Sequence, residues 1–537
     1  MPKSNKIHCF TVLAARSVGR MSQFFGKGST MTHEWRCGII CAVLMLVAML
    51  IATKGLEGQQ ITFIPNGTFF VNPSGASETY STTGGIDLTG PFFQSLGTNG
   101  RSCGTCHQPS DGMSVAAANV QQRFTLTQGL DPIFRMVDGS NCNHSIDVST
   151  LDGRSAAYSL LRTRGLIRIA IKVPAGADYY VQSVNNPYGC NESDVISMYR
   201  RPLPATNLRF LSAVMFDGRE STPITGTTKI VYSNYPDSLQ SDLAHQSLDA
   251  TTGHAQGDGS RPTPDERQQI VNFEMALSTG QIINNYAGRL DARGATGGPL
   301  ALVNQPFFIS INSSVHFLAP HFEPPGGLVT PGDGQFTPAI FNPFDAWASM
   351  PDASPRAAVA RGQAIFNSKP VSITGVTGIN DAVGVGGLGI GDNPPLQGTC
   401  GTCHDTPNVG NHSFPTPLNI GTGDPDPSNP SVNLGGLDVS YLPTITVCKL
   451  DLTTNPPTGT SNCKMTTDLG QALIDGKFDH VGKIKGPILR GLSARAPYFH
   501  NGSARTLLDV VHFYENRFGL SLTPQEESDL VAFLNVL

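Results

Sequence analysis

The chain has 537 residues, of which only 14% are charged, and it holds 58 Gly and 39 Pro. Ordinary soluble proteins carry about 25% charged residues, so coiled coils and charged disordered tails are excluded, and the lack of a Gly-X-Y period excludes collagen. The first 54 residues carry seven Lys or Arg and one acid, which leaves 29 bases against 40 acids and a body of net charge −11; such a body is a poor binder of nucleic acid and suits a small basic partner.

Gly38–Ala52 is an uncharged apolar run between Arg36 and Lys54. About 15 residues falls short of the ~20 a membrane span needs and matches the apolar centre of a secretory signal. The basic stretch before it follows the positive-inside bias. There is no clean Ala-x-Ala cleavage site, so residues 1–54 read as an export signal or an uncleaved membrane anchor. Either reading places the body outside the cytoplasm, in the periplasm or beyond. Residues 55–85, rich in Gly, Ser and Thr, read as an extended polar arm.

Further along, Thr263-Pro264-Asp265-Glu266 combines an N-cap, a first-turn Pro and early acids, which predicts a helix to about Leu277. Ser354-Pro355 opens another, through Ala360 and Phe366. Gly384–Pro395 reads as a glycine-rich loop. Thr506–Phe518 reads as a helix with Leu507, Val510, Val511, Tyr514 and Phe518 on one face and His512 on the other. Thr523-Pro524-Gln525-Glu526 is a capping box for a terminal helix that aligns Leu530, Val531, Leu534 and Leu537. Strand signals are short, as in Thr228–Tyr232.

Eleven cysteines are present, and Cys9, Cys37 and Cys41 lie in the export region. Four others form two identical pentapeptides, Cys103-Gly104-Thr105-Cys106-His107 and Cys400-Gly401-Thr402-Cys403-His404. C-x-x-C-H is the attachment signature of c-type haem. Two thiols at this spacing each add to one vinyl group of a single porphyrin, and the adjacent His reaches the iron. Four-Cys zinc sites use pairs close in sequence, whereas 293 residues intervene between Cys106 and Cys400. Two covalently attached c-type haems are therefore expected, with His107 and His404 as iron ligands. Cys142 with Cys190, and Cys448 with Cys463, are expected to form local disulfides in an oxidising compartment. The expected fold is mainly α: two cytochrome c-like haem domains with long ordered loops, residues 86–340 and 341–537, divided near Pro320–Pro343.

Each iron needs a sixth ligand or an open position, and the open position is the one that allows peroxide or oxygen chemistry. Helical spacing turns Tyr514 inward and His512 to solvent. Tyr514 is then either a ligand or a core tyrosine. His412 reads as a group at the haem edge, His144 as a loop residue, and Met465 as an alternative ligand for the second haem.

Several further segments are familiar together. They are Ala496-Pro497-Tyr498-Phe499-His500-Asn501-Gly502-Ser503, Met215-Phe216-Asp217-Gly218-Arg219, and Arg361-Gly362-Gln363-Ala364-Ile365-Phe366. In these, roughly over residues 90–537, the chain resembles the bacterial di-haem cytochrome c peroxidases and their relative MauG. The resemblance implies a reactive N-terminal haem and a low-spin C-terminal haem that feeds it electrons. The peroxidases place a distal Met after the Tyr-Phe-His motif; the same offset from His500 lands on Tyr514, and MauG is similar in having Tyr there.

Two departures are visible. Phe216 stands where the family has a Trp between the haems. Gly253-His254-Ala255-Gln256 stands near the family's distal Glu, so His254 is a distal acid–base, a ligand of the first iron, or a second-layer group. Arg219 either binds a haem propionate or pairs with Asp217. His254, Phe216 and Arg219 are the catalytic candidates. Arg201 replaces the Asn that completes the family's calcium site, which argues against calcium. The expected activity is hydrogen peroxide reduction with electrons from a small cytochrome c or cupredoxin. The alternatives are a di-haem oxygenase of the same superfamily and a non-enzymatic electron carrier.

Overall fold

A computed structural model describes residues 61–142, 146–190, 195–221, 237–307, 311–312, 336–380, 396–412, 417–425 and 437–537. The apolar run 38–52, the loop 384–395, His144 and the strand signal 228–232 lie outside the described residues. No helix among the described residues is long and apolar enough to cross a membrane.

Eight helices of six residues or more stand among the described residues: α1 (Ala117–Thr127), α2 (Leu151–Ala157), α3 (Ser159–Arg164), α4 (Asp237–His254), α5 (Pro264–Ala276), α6 (Pro355–Ser368), α7 (Leu507–Phe518) and α8 (Pro524–Leu534). Four begin at their sequence signals. In α5 the Thr263 hydroxyl accepts from the Glu266 N–H, and the Glu266 carboxylate accepts from the Thr263 N–H at 2.8 Å. Thr523 and Glu526 repeat this box at α8, Thr506 caps α7 with Asp509, and Ser354 caps α6. These reciprocal bonds satisfy N–H groups that have no partner within the helix.

Thirteen strands accompany them: β1 (Phe63–Pro65), β2 (Phe69–Asn72), β3 (Gly75–Ser81), β4 (Gly85–Asp87), β5 (Ile167–Lys172), β6 (Tyr179–Asn185), β7 (Val195–Arg200), β8 (Leu277–Asn284), β9 (Gly288–Arg289), β10 (Val371–Ile373), β11 (Leu396–Gly398), β12 (Thr444–Asp451) and β13 (Thr458–Thr466). They form five small sheets, of which the largest runs β2-β3-β8-β9 and the next β13-β12-β6. The described residues are thus 32% helical and 19% strand, and the expectation of a mainly α fold is overturned.

The reason lies in pairing distance. β3 pairs with β8 about two hundred positions later, as Thr79↔Thr279 shows. β6 pairs with β12, which comes from the half that carries the second pentapeptide. Short strands rich in Gly, Ser and Thr carry no period of their own; their long-range partners make them strands. Residues read as a polar arm therefore pair into the body, where β3 is mostly buried. The segment between Cys448 and Cys463 is the β12–β13 hairpin, with the two cysteines opposite each other in register. Both expected disulfides are present, Cys142–Cys190 and Cys448–Cys463.

Thr62–Leu537 cohere as one unit. The largest apolar cluster joins α6 and α8 through Phe341, Phe344, Trp347, Phe366 and Phe533. The terminal helix buries Leu530, Phe533 and Leu534, so the face read from spacing is right and Phe533 lies at its centre. Another cluster joins Leu208, Phe210, Leu239 and Leu243 to Val409 and Ile488. Two more, around Phe92 and Phe124, flank the first pentapeptide.

Candidate functional site

Both pentapeptides fold as one tight turn held by their own threonine. The Thr105 hydroxyl accepts from the Ser102 N–H at 2.9 Å, and the Thr402 hydroxyl accepts from the Thr399 N–H at 2.9 Å. In each turn the histidine Nδ1 donates to a carbonyl six residues on. His107 bonds Met113 O at 2.9 Å and His404 bonds Gly410 O at 2.7 Å. That bond fixes the tautomer and leaves Nε2 as the nitrogen able to ligate. Burial lowers the pKa of His107 and takes that of His404 down to about 4, so both imidazoles are neutral.

All four pentapeptide cysteines are free. Burial raises each of them, Cys103 and Cys403 to about 12 and Cys400 to about 11. Two neutral thiols and one neutral, oriented imidazole in a single turn suit a covalently attached porphyrin. A structural zinc takes four converging ligands instead.

The first turn opens on a cleft of about 1450 Å³, part of it open to solvent. All six residues expected at this site line it: Cys103, Cys106, His107, Phe216, Arg219 and His254. His254, at the end of α4, turns Nδ1 onto the Asp138 carboxylate, which also pairs with Arg101. Burial works to raise the Asp138 pKa, but His254 and Arg101 outweigh it and hold the carboxylate below its ordinary value. Nδ1 is thereby committed, and Nε2 remains for proton exchange or ligation. Arg219 pairs with Asp217 at 3.1 Å. The Phe216 ring packs 6.0 Å from that of His500, centroid to centroid. Beneath them, buried Arg200 bonds Asp468 at 2.6 and 2.8 Å and also bonds Asp217.

Sequence reasoning missed Arg101, Asp138, Glu274 and Lys485, which line the same cleft. Asp138 is 37 positions from Arg101 and lies in no motif. Glu274 sits near the end of α5, with Oε2 buried and unbonded, and burial alone raises its pKa to about 8. Only Arg101, two residues before Cys103, carried a positional signal.

The second turn faces α7. The Tyr514 hydroxyl lies 3.3 Å from His404 Nε2, and Phe366 closes another side of the His404 ring at 6.0 Å. Tyr514 thus points at the nitrogen left able to ligate, while His512 lies at the rim, 3.6 Å from Glu527. His412 is buried and donates Nδ1 to Cys403 O at 2.7 Å, holding the turn from behind. Met465 is exposed on β13. Arg201 is buried, and its guanidinium donates to Arg164 O at 2.8 Å, Val115 O at 2.5 Å and Arg495 O at 2.6 Å.

The chain has a cytochrome c peroxidase-like relation over a short segment, and no protein-family model matches it. It is 41% identical over 68 residues to cytochrome-c peroxidase IdrP1 of Denitromonas iodatirespirans, covering 11% of this chain and 18% of the relative. Over 81 residues it is 40% identical to IdrP1 of Pseudomonas sp. (strain SCT), covering 13% of this chain and 21% of the relative. Cytochrome-c peroxidase IdrP2 of Denitromonas iodatirespirans is 41% identical over 78 residues, or 13% and 21%. The chain therefore matches between 18% and 21% of the length of these curated relatives.

Proposed function

We propose that this chain is an exported oxidoreductase with two covalently attached c-type haems, one on each C-x-x-C-H turn, that reduces hydrogen peroxide in the first cleft. Electrons enter from a small cytochrome c or cupredoxin and pass by way of the second site. Residues 1–54 act as the export signal or anchor. The observation that carries the reading is asymmetry between two otherwise identical turns. His107 faces an open cleft, whereas a tyrosine hydroxyl already stands 3.3 Å from His404 Nε2.

When bound, the haem iron supplies the oxygen-binding and electron-exchange chemistry. The chain's residues do the remainder. Cys103 and Cys106 tether the macrocycle, and the Met113 carbonyl orients His107. His254, held through Nδ1 by Asp138, holds or moves a proton at Nε2. Apolar side chains such as Leu208, Leu211, Val214 and Leu243 exclude bulk water. The reaction balances as one peroxide, two protons and two electrons to two waters. Phe216, whose ring packs against His500, is hard to oxidise, so electron transfer between the two sites is slower or routed elsewhere.

The same apolar lining favours a second reading, a di-haem oxygenase acting on a hydrophobic polymer. One experiment separates the readings. Haem-loaded diferric protein, and the same protein after one electron equivalent, are each mixed with stoichiometric peroxide in a stopped-flow spectrometer. Peroxidase chemistry requires a rapid change in a high-spin Soret component, in at least one state, that a donor reverses. A change on mixing reduced protein with oxygen, and none with peroxide, selects the oxygenase. Silence toward both leaves an electron carrier.

A further inference from the structure

We propose that Lys485 is the carboxylate-binding residue of the first cleft. The inference rests on the haem reading above for one of its two carboxylate sources. Lys485 is 4% exposed and lines the cleft. Its backbone N–H donates to Phe216 O at 2.8 Å, which fixes the chain beside the catalytic candidates. Its Nζ donates to Ala213 O at 2.6 Å.

An ammonium has three donors, and one neutral carbonyl leaves most of its charge unmatched. Three other cations of the cleft are matched by carboxylates: Arg101 has Asp138, Arg219 has Asp217, and Arg200 has both Asp217 and Asp468. Arg201 instead donates to three backbone carbonyls. Among the described residues no carboxylate lies within ion-pair distance of Lys485. Burial lowers the Lys485 pKa to about 7; Asp217 is close enough to oppose that, yet it already serves two arginines. Glu274 feels only its own burial, with no cation acting on it.

A buried ammonium is costly unless an anion accompanies it. The cleft therefore selects a ligand with an apolar body and a carboxylate. A porphyrin is such a ligand, because its propionates lie on the edge away from the vinyl groups that the cysteines take. A diffusible fatty acid has the same chemistry.

The test uses the full haem-loaded chain, its Lys485→Met and Lys485→Arg variants, and octanoate as the diffusible probe. Mass spectrometry first reports haem attachment, and circular dichroism reports folding. If a propionate is the partner, removing the ammonium favours the ferric state. The reduction equilibrium of the first haem then shifts about tenfold in Lys485→Met, about 59 mV lower for a one-electron couple, and Lys485→Arg keeps the wild-type value. If a diffusible acid is the partner, the potentials agree. Calorimetry then shows octanoate binding to wild type and Lys485→Arg and none to Lys485→Met. Equal potentials together with equal octanoate binding would overturn the assignment. A chain that carries no haem fails the functional reading, and the octanoate arm still decides Lys485.

Discussion

Glu274 is the cleft residue whose protonation has the clearest cost. The residue is 5% exposed, one carboxyl oxygen is unbonded, and burial raises its pKa from 4.5 to about 8. The folded chain thus holds a proton that the unfolded chain has lost. Stability is unaffected below pH 4.5 and falls as the pH rises from there to about 8. Glu274→Gln should match wild type in urea unfolding at pH 4 and exceed it by a few kcal/mol at pH 8; an advantage that does not grow with pH would refute the assignment. Tyr514→Phe removes the hydroxyl facing His404 Nε2. In haem-loaded protein it should abolish any tyrosinate-to-ferric charge-transfer band and leave the first site's spectrum unchanged. These two residues also mark what the sequence could reveal. Tyr514 was legible because helical spacing and its offset from His500 agree. Glu274, Asp138 and Lys485 were not, because their significance comes from convergence on a cavity that only the folded chain creates.

Among the elements, the four helices with a cap signal were legible and the sheets were not, for one physical reason. A helix satisfies its own backbone, so its caps and period are local; a strand's partner lies elsewhere in the chain. The segment Arg361-Gly362-Gln363 shows how a short motif records packing. Arg361 forks onto Asp529 at 2.7 and 2.9 Å, and the Gln363 amide oxygen accepts from the Phe344 N–H at 2.9 Å. Between them Gly362 lets α6 meet α8 at backbone distance, where an added Cβ would stand 1.9 Å from the Asp529 carbonyl oxygen. That oxygen belongs to a helix and cannot swing aside. Gly362→Ala should therefore cost about 1–3 kcal/mol, read as a lower midpoint in denaturant. It should also loosen α8 in hydrogen exchange before it disturbs the β2-β3-β8-β9 sheet. A midpoint equal to wild type would mean the two helices are free to separate.

At the scale of the molecule, the two halves with their separate pentapeptides are joined by an internal cation. Arg201 directly follows β7, and its backbone N–H donates to His500 O at 2.6 Å. Its guanidinium gathers carbonyls from Val115 and Arg164 in the first half and Arg495 in the second. Burial, with Arg495 adding repulsion, lowers its pKa to about 9, so the charge persists at neutral pH. Carbonyl oxygens converging in this way are also what calcium takes; here a tethered side chain uses them. Two consequences can be measured. Arg201→Met keeps most of the packing volume but strands three buried acceptors. At about 1–3 kcal/mol for each unsatisfied group, it should lower the melting temperature sharply and expose the junction of the halves to proteolysis. Lysine should restore little, because a point charge does not span three carbonyls as the planar fork does. The wild-type melting curve should be indifferent to a chelator; a downward shift with EDTA would mean that a bound metal, and not the guanidinium, holds the halves together.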